Sequence, residues 1–273
     1  MNCRIMSSRD STVIIIPARM AASRLPGKPL ADIAGKPMIQ HVWERAMAAD
    51  IAPVYVATDH REIANVIGAA GGRAVITRDD HPSGSDRVFE ALQIIDPNGS
   101  FETILNLQGD LPEMDPCIPE ALVTALDRSD ADLATLVTPA TAEEAVRPQV
   151  VKAAIAWDNG CDQPATNGNR FGTALYFSRA PIPAGATEYN HHVGVYGWRR
   201  SALSAFVRLP PSPLELTEKL EQLRALEAGM TIAVAQINAA PGGVDTNDDL
   251  IATRRRLGHR SADRHRKRPS TRR

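Results

Sequence analysis

Apolar and polar positions in the first half of the chain alternate between two patterns. Residues 12–17 form a continuous apolar run typical of a buried strand, and residues 36–49 carry apolar side chains at helical spacing. The same criteria predict strands at 53–57, 73–76, 103–107 and 132–137, and helices at 61–69, 85–95 and 116–126. This alternation is typical of α/β proteins in which helices cover both faces of a mostly parallel central sheet. Ligands of such proteins bind at the carboxyl ends of the strands.

The second half has a mixed pattern. It predicts strands at 150–157, 172–177, 193–198 and 231–236, with a turn rich in Gly, Asn and Pro at 158–169. A capping box at Ser212 predicts a helix that continues to Ala228, with an apolar face made of Leu216, Leu220, Leu223 and Leu226. A last helix is predicted at 247–257. We therefore expect one domain at 12–257, divided into halves at 12–138 and 139–257.

Composition restricts the class of protein. The chain has 273 residues, of which 43% are apolar and 23% charged, and this balance excludes collagen-like, disulfide-dense and wholly disordered chains. No apolar run approaches the roughly 18 residues of a spanning helix, so we expect no membrane insertion. Cys3, Cys117 and Cys161 are scattered without metal or redox spacing, which favours a reducing cytoplasm.

Charge is distributed unevenly. Residues 254–273 hold ten Lys and Arg but one acid, Asp263; the remaining 21 basic and 31 acidic residues leave 1–253 with a net charge of −10. Such a tail could bind nucleic acid or anionic lipid. Because it lacks aromatic residues and periodicity, the favoured interpretation of 258–273 is a basic disordered tail that the body does not need. Residues 1–11 are a separate amino-terminal extension, and no nucleic acid is expected to be required.

The loop after the first predicted strand carries the strongest chemical signal. Residues 17–30, PARMAASRLPGKPL, place Arg19, Arg24 and Lys28 where a strand ends. Three cations on a Gly-containing loop suit a triphosphate, although a solvated basic loop is the alternative. The loop is neither a Walker A loop nor a GxGxxG fingerprint, so a dinucleotide ligand is disfavoured.

These residues resemble a known family. PARMAASRLPGKPL and the following GKPMIQHV are similar to the signature of sugar-activating cytidylyltransferases, in particular those that use 3-deoxy-manno-octulosonate (Kdo). The resemblance continues at VATDH (56–60), AAGG (69–72), TRDDHPSGSDR (77–87), LNLQGD (105–110), ALYFSR (174–179), HVGVYGWR (192–199), PSPLELTEKLEQLR (211–224) and GGVDTNDDL (242–250). Together these blocks are a specific signature of the family, whereas each block alone would be weak evidence for it.

The resemblance implies a fold and a reaction. The fold would be Rossmann-like, with a smaller mixed β sub-domain for sugar binding and dimerisation, and the protein would be a homodimer. The anomeric hydroxyl of Kdo would attack the α-phosphate of CTP in the presence of Mg²⁺. The products would be pyrophosphate and CMP-Kdo, the activated sugar for the inner core of lipopolysaccharide.

Family motifs imply roles for individual residues. Catalytic roles fall to Lys28, Arg19 and Asp110, with Lys28 neutralising the departing pyrophosphate. The residues implied in CTP binding are Ala18, Arg19, Ser23, Arg24, Lys28, Ser83, Gly84, Arg87 and Gln108. Without the family resemblance, the sequence favours Arg87 as a residue in the first turn of a helix that pairs with Asp86 or Glu90.

Two aspartates match the metal site of the family. Asp110 follows the fourth predicted strand and Asp245 precedes the last helix; from the sequence alone they could be a turn residue and a cap. If they converge, they suit Mg²⁺, which uses few protein oxygens together with phosphates and water. Without metal, the two carboxylates are expected to repel each other.

The implied Kdo site contains Gln108, His192, Tyr196, Glu221 and Gln222. Arg179 and Lys152 are candidate partners for the sugar carboxylate. Without the family, Glu221 and Gln222 read as solvated helix residues away from the leucine face, and His191 reads as a surface residue.

One position departs from the family. Many relatives have Glu after the QGD motif, whereas this chain has Leu111. A third acid beside the metal is therefore in doubt, and so is the fine geometry of the site. The segment 180–190 is also shorter than is usual in the family.

Other functions remain open at this stage. The enzyme could use a related keto-sugar acid, such as amino-Kdo, although the block at 192–199 disfavours a nonulosonate. The chain could instead be a non-catalytic nucleotide-binding module. A glycosyltransferase is disfavoured because a D-x-D motif is absent from the position that Gln108-Gly-Asp occupies.

Overall fold

The computed structural model describes residues 10–21, 25–158 and 170–266. Its first half alternates strands and helices as the sequence predicts. The elements are β1 (Thr12–Ala18), β2 (Asp32–Ile33), β3 (Lys36–Pro37), α1 (Met38–Met47), β4 (Val54–Thr58), α2 (Arg61–Ala69), β5 (Arg73–Ile76), α3 (Gly84–Ile95), β6 (Thr103–Asn106), α4 (Cys117–Asp127) and β7 (Leu133–Ala140). Helix α1 begins two residues later than predicted because β3 pairs with β2 in a two-stranded antiparallel ladder.

The second half contains shorter helices among longer strands. Its elements are α5 (Ala142–Ala145), β8 (Lys152–Trp157), β9 (Phe171–Ser178), β10 (Tyr189–Arg199), α6 (Arg200–Phe206), α7 (Pro213–Glu218), α8 (Gln222–Glu227), β11 (Ile232–Gln236) and α9 (Asn247–Arg266). The predicted turn at 158–169 lies, apart from Asp158, outside the described residues. The fold is therefore α/β, and none of the described helices is both long and apolar enough to span a membrane.

One mixed sheet organises the described part of the chain. Its strand order is β5-β4-β1-β6-β10-β7-β11-β9-β8. Strands β5, β4, β1 and β6 are parallel to one another, and β11 is parallel to β7. Strand β10 lies antiparallel between β6 and β7, and β9 is antiparallel to both β11 and β8. The mostly parallel prediction therefore fits the first half, whereas the whole sheet is mixed.

The predicted mixed β sub-domain is not a separate sheet. Strand β8 also pairs with β10, where His191 lies opposite Lys152, so β10, β7, β11, β9 and β8 close into a ring. One strand of that ring, β10, also pairs with β6 and so joins the ring to the rest of the sheet. The mixed β part predicted for the second half is therefore the closed end of one continuous sheet, and its role in sugar binding and dimerisation stays a prediction.

Helices cover both faces of the sheet, as predicted. In β1, Ile14 and Ile16 pack into the apolar core on the α1, α2 and α4 side, whereas Val13 and Ile15 pack into the core on the α3, α6 and α8 side. All four side chains are fully buried. When both faces of a strand are buried, apolar residues do not alternate with polar ones along it. This explains the continuous apolar run in the sequence of β1.

The predicted helix from Ser212 to Ala228 is wrong, because it is two helices. The capping box at Ser212 is present, but Lys219 adopts a left-handed conformation, with φ 57° and ψ 46°, and ends α7. The leucine face is therefore divided: Leu220 and Leu223 are buried, whereas Leu216 is 54% exposed.

The prediction of disorder from residue 258 onward is also wrong in part. Helix α9 continues to Arg266, past the predicted end at Leu257. Proline ends or kinks helices, and residues 258–266 contain none; the first proline after them is Pro269. Residues 267–273 and 1–9 lie outside the described part of the chain.

Candidate active site

A pocket of about 300 Å³ opens at the carboxyl ends of β1 and β6. It collects many residues that the sequence singled out from distant segments. The predicted site residues that line it are Ala18, Arg19, Lys28, Ser83, Gly84, Arg87, Gln108, Asp110 and Asp245. Ser23 and Arg24 lie outside the described residues. A larger cleft of about 820 Å³ at the closed end of the sheet contains none of the predicted site residues.

Lys28 reaches the pocket through a tight local turn. Gly27 adopts φ 70° and precedes a single 3₁₀ turn at Lys28–Leu30. A positive φ is easily adopted only by glycine, so this residue lets the chain reverse. The backbone N–H of Lys28 donates to the Leu25 carbonyl (3.1 Å), and Pro29 is buried. The turn thus holds the Lys28 backbone while the Lys28 side chain extends into the pocket, which Leu25 and Pro29 also line.

Gly109 allows Asp110 to lie beside β1. A Cβ atom at Gly109 would come within 2.6 Å of the backbone oxygen of Pro17. Any larger residue would push the loop after β6 away from the end of β1. The glycine of the QGD motif is thus required for close packing, and Asp110 follows it into the pocket.

Lys28 lies between Asp110 and Asp245. Its ammonium is 2.7 Å from Asp110 Oδ2 and 3.0 Å from Asp245 Oδ1. The two carboxylate oxygens are therefore no more than 5.7 Å apart, the sum of these distances. The structure brings the aspartates together, as the sequence predicted. The sequence did not predict the cation that lies within contact distance of both and offsets the expected repulsion between them.

The arrangement of the two aspartates fits Mg²⁺. Across the described residues, no group of three or more His, Cys, Asp or Glu side chains forms a metal cluster. Mg²⁺ commonly binds through one or two carboxylates together with phosphates and water. The Asp110 and Asp245 side chains are 29% and 51% exposed, so their oxygens are open to the pocket. Their role as metal ligands stays a prediction.

Asp245 is held in place by the start of α9. Val244 is fully buried, and its N–H donates to the Asp110 carbonyl (3.0 Å). The Asp249 carboxylate accepts from the N–H groups of Asp245 (3.1 Å) and Thr246 (2.8 Å). These bonds fix the loop so that the Asp245 carboxylate lies next to Lys28.

Arg87 is anchored beneath the pocket rather than on the helix surface. Its guanidinium is 3% exposed and donates to Asp59 Oδ2 (3.0 Å), Thr77 Oγ1 (2.6 Å) and the Arg78 carbonyl (3.0 Å). The alternative pairing with Asp86 or Glu90 is wrong, because the carboxylate partner is Asp59. Sequence reasoning assigned no role to Asp59, although it follows β4 much as Asp110 follows β6.

Predicted sugar-binding residues form a second polar cluster, separate from the pocket lining. Tyr196 donates to Gln222 Oε1 (3.1 Å), and the Gln222 amide lies 3.4 Å from His192 Nδ1. The other ring nitrogen of His192 lies 2.9 Å from Thr135 Oγ1. All four residues are buried, so the solvated interpretation of Gln222 is wrong. Burial, with a smaller contribution from His191, lowers the pKa of His192 to about 3, so this ring is neutral at pH 7.

Glu221 connects the two groups of residues. Its Oε1 is buried and has no hydrogen-bond partner among the described residues. Burial raises the pKa of the Glu221 carboxyl above its ordinary value, against the opposing effects of the Ser83 and Ser85 hydroxyls and Arg224. Because Ser83 lines the pocket, Glu221 lies between the pocket and the buried cluster.

Lys152 is not available as a partner of a sugar carboxylate, contrary to expectation, and Arg179 uses three of its five N–H donors on backbone carbonyls. The Lys152 ammonium donates to the backbone carbonyls of Arg147 (3.4 Å), Val150 (2.6 Å) and Arg179. These three acceptors use its three donors. Arg179 donates to the carbonyls of Pro148, Glu218 and Lys219.

Leu111 does not disturb the site. It is 8% exposed and belongs to the apolar core beneath the pocket. The departure from the family pattern therefore adds apolar packing next to Asp110.

Known proteins of one family resemble this chain. A family model described as cytidylyltransferase matches residues 13–232. The "3-deoxy-manno-octulosonate cytidylyltransferase" of Rhodopseudomonas palustris (strain BisB18) is 55% identical over 253 residues, which cover 92% of this chain and 100% of that relative. The protein of the same name from Parvibaculum lavamentivorans is 52% identical, covering 91% of this chain and 93% of the relative.

A solved structure shares the fold. The structure described as CMP:2-keto-3-deoxy-manno-octonic acid synthetase complexed with CTP superposes with a TM-score of 0.81 at 40% sequence identity. The match covers 92% of this chain and 99% of that one. Because the family model spans most of the chain and these relatives match over nearly their whole length, the chain belongs to the cytidylyltransferase family.

Proposed function

We propose that the protein transfers the cytidylyl group of CTP to Kdo, forming CMP-Kdo for lipopolysaccharide synthesis. A bond forms between the anomeric oxygen of the sugar and the α-phosphorus. The bond from that phosphorus to the β-phosphate oxygen breaks, pyrophosphate leaves, and the hydroxyl proton passes to solvent. The observation that carries the proposal is the convergence of Lys28, Asp110 and Asp245 on one pocket. The names of the matched relatives support the identity of both substrates.

The pocket supplies cations and donors for a triphosphate. Arg19 and Lys28 would bind phosphate oxygens, and Ser83 and Gly84, at the start of α3, add hydroxyl and backbone donors near the positive end of the helix dipole. Lys28 would stabilise the negative charge that develops on the departing pyrophosphate. Asp110 and Asp245 would hold Mg²⁺, which when bound supplies charge neutralisation at the α-phosphate.

The buried polar cluster suits a polyhydroxylated sugar acid. Gln108 lines the nucleotide pocket, and the Tyr196, His192 and Gln222 cluster offers uncharged donors and acceptors. Neutral hydrogen-bonding groups recognise hydroxyls without a strong desolvation cost on binding. Glu221, at the junction, would contact the sugar next to the reacting hydroxyl.

The proposal extends to assembly and location. We propose a Rossmann-like nucleotidyltransferase that forms a homodimer, supported by exposed apolar side chains in the second half such as Leu175 (62%) and Leu216 (54%). Light scattering of wild type and Leu175→Glu tests the dimer. A cytoplasmic location is supported by the scattered cysteines.

The decisive test is pyrophosphate release from CTP in the presence of Mg²⁺ and a panel of keto-sugar acids. Activity with Kdo above amino-Kdo supports the proposal, and the reverse order supports the related-sugar alternative. No release with any sugar, together with retained CTP binding, would support a non-catalytic module.

Lys28→Ala tests the assigned chemistry. We expect turnover to fall by about 10²–10³-fold, as when one oriented transition-state donor is removed. Asp110→Asn and Asp245→Asn should each lower turnover severely and weaken its Mg²⁺ dependence, because each substitution removes a charged ligand. Near-normal turnover of Lys28→Ala at saturating CTP would exclude this residue from the mechanism.

A further inference from the structure

The Lys28 ammonium lies where a cation shared by Asp110 and Asp245 would lie. It contacts one oxygen of each carboxylate, at 2.7 and 3.0 Å, and the Lys28 side chain is only 14% exposed. The Lys28 side chain is therefore already paired with two carboxylates and is not a free surface cation. It already neutralises much of the charge of the aspartate pair.

An ammonium and a divalent metal cannot share these positions. Mg²⁺ requires oxygen ligands at about 2.0–2.1 Å in near-octahedral geometry. A metal bound to both contacted oxygens would lie where the ammonium is, and the two cations would repel each other strongly at that distance. Binding of the metal through these two oxygens therefore requires Lys28 to move.

Only the side chain of Lys28 needs to move. Its backbone is fixed between Gly27 and the buried Pro29, in a turn closed by hydrogen bonds. Four rotatable carbon–carbon bonds let the ammonium move by several ångströms without any change in the turn. A triphosphate in the same pocket would provide new anionic partners for the displaced ammonium.

We propose that Lys28 and the divalent metal are alternative counter-ions of Asp110 and Asp245, so that metal enters the site with the nucleotide and not before it. This inference rests on the proposed role of the two aspartates as metal ligands. In the nucleotide-free protein, Lys28 prevents loading of the site by metal alone. When the phosphates of CTP bind, Lys28 moves to them and the aspartates become available to the metal.

The test measures binding of Mn²⁺, as a spectroscopic substitute for Mg²⁺, to the full-length protein without nucleotide. Electron paramagnetic resonance reports the free ion directly, so the readout does not depend on activity. We expect weak binding by wild type and at least about tenfold tighter binding by Lys28→Met, because the competing charge is gone while the length of the side chain is retained. The gain should disappear in the Lys28→Met/Asp110→Asn double variant.

Lys36→Met is the matched control. Lys36 also forms an ion pair, with Glu44 at 2.7 Å, but these two side chains are 45% and 36% exposed. The Lys36→Met variant should bind Mn²⁺ as wild type does. Circular dichroism checks that each variant is folded, and Lys28→Gln provides a second charge-removing variant if Lys28→Met does not fold.

The remaining outcomes separate the inference from the proposed function. Equal Mn²⁺ affinity of wild type and Lys28→Met, with both binding, would overturn the exchange of counter-ions and leave the metal site in place. Absence of Mn²⁺ binding by either protein, even with bound CTP, would overturn both the inference and the assignment of the aspartates to metal.

Discussion

Arg87 shows at the residue scale how a buried charge is kept at the edge of the pocket. Its guanidinium has one carboxylate partner, Asp59, and two neutral acceptors. Removing one partner of a buried ion pair is costly because the remaining charge is left without compensation. Asp59 therefore positions Arg87 without itself lining the pocket.

We expect Asp59→Asn to raise the KM for CTP and to lower the free energy of unfolding by about 1–3 kcal/mol, since the amide keeps an acceptor but loses the charge. Steady-state kinetics and urea unfolding measure the two effects. Asp79→Asn, at an exposed position next to Arg78 in the sequence, is the control and should change neither. If the two variants behave alike, Asp59 does not position Arg87.

His192 makes stability depend on pH. Its pKa is lowered to about 3 by burial in the folded protein, whereas an unfolded histidine titrates near 6.5. Between these values the unfolded chain binds a proton that the folded protein does not. The contribution of His192 to stability is therefore complete above pH 6.5 and is lost as the pH falls through this window.

Replacing His192 with Gln should flatten this dependence. Between pH 4 and 6.5, the unfolding free energy of the variant should change less steeply than that of wild type, by up to about 1.4 kcal/mol per pH unit. Urea unfolding at several pH values measures the slopes. Thr135→Val, which removes the hydroxyl next to the ring but keeps the titrating group, should retain the wild-type slope. Identical slopes for wild type and His192→Gln would contradict the assignment.

At the element scale, the break between α7 and α8 sets the position of Gln222, a residue of the predicted sugar site. Glu218 is the last residue of α7. Its carboxylate accepts hydrogen bonds from Ser178 Oγ (2.6 Å) and from the N–H of Arg179 (2.9 Å), which ties the end of the helix to the end of β9. Lys219 then reverses the chain in a left-handed conformation, and Gln222 enters the buried cluster. A continuous helix would carry Gln222 in a different direction.

Substitution of Lys219 tests whether this conformation is strained. Lys219→Gly should be more stable than Lys219→Ala by about 1 kcal/mol, because glycine adopts positive φ without a Cβ clash. Comparing Gly with Ala cancels the loss of the lysine side chain. Urea unfolding measures the difference. Equal stability of the two variants would mean that the positive φ costs nothing here.

The sequence predicted some elements well and others poorly, for local reasons. Helix α2 and strand β5 have their predicted bounds, because a regular apolar period ends at Gly71 and Gly72. The α7–α8 break was not predictable, because the leucine period continues across it. What interrupts the helix is Glu218, whose partners come from β9, about 40 residues away in the sequence.

At the scale of the whole molecule, α9 joins the carboxyl terminus to the site. Arg256 forms an ion pair with the mostly buried Glu113 (2.6 Å), and Arg254 donates to the Asp32 carbonyl (2.7 Å). These contacts hold the helix that follows Asp245. Both contacts lie before Leu257, so the predicted tail at 258–273 provides neither of them.

A chain that ends at Leu257 should fold and keep its turnover, because it retains both arginine contacts. Thermal unfolding and the pyrophosphate assay measure the two properties. Arg256→Ala in the same shortened chain is the comparison, and it should be less stable because Glu113 loses its partner. Loss of most activity in a folded protein ending at Leu257 would show that the tail is functional.

The site was more predictable than the architecture around it. The family resemblance implied roles for Lys28, Asp110 and Asp245, and the structure brings the three side chains into contact, while their roles stay predictions. The cation between the aspartates and the partner of Arg87 were missed, because side-chain pairing across 82 or 28 residues leaves no local pattern. The insertion of β10 between β6 and β7 was missed for the same reason.

The position of β10 has a consequence for how the protein is made. Tyr196 of β10 pairs with Asn106 of β6, and β7 pairs with β10 and β11, both encoded later in the gene. A nascent chain that has released only residues 12–138 therefore has unpaired backbone along β6 and β7, and such open edges promote aggregation. Translation must pass residue 199 before the edge of β6 is protected. Residues 12–138 should therefore not fold well when separated from the rest of the chain, although they contain most of the residues that line the pocket.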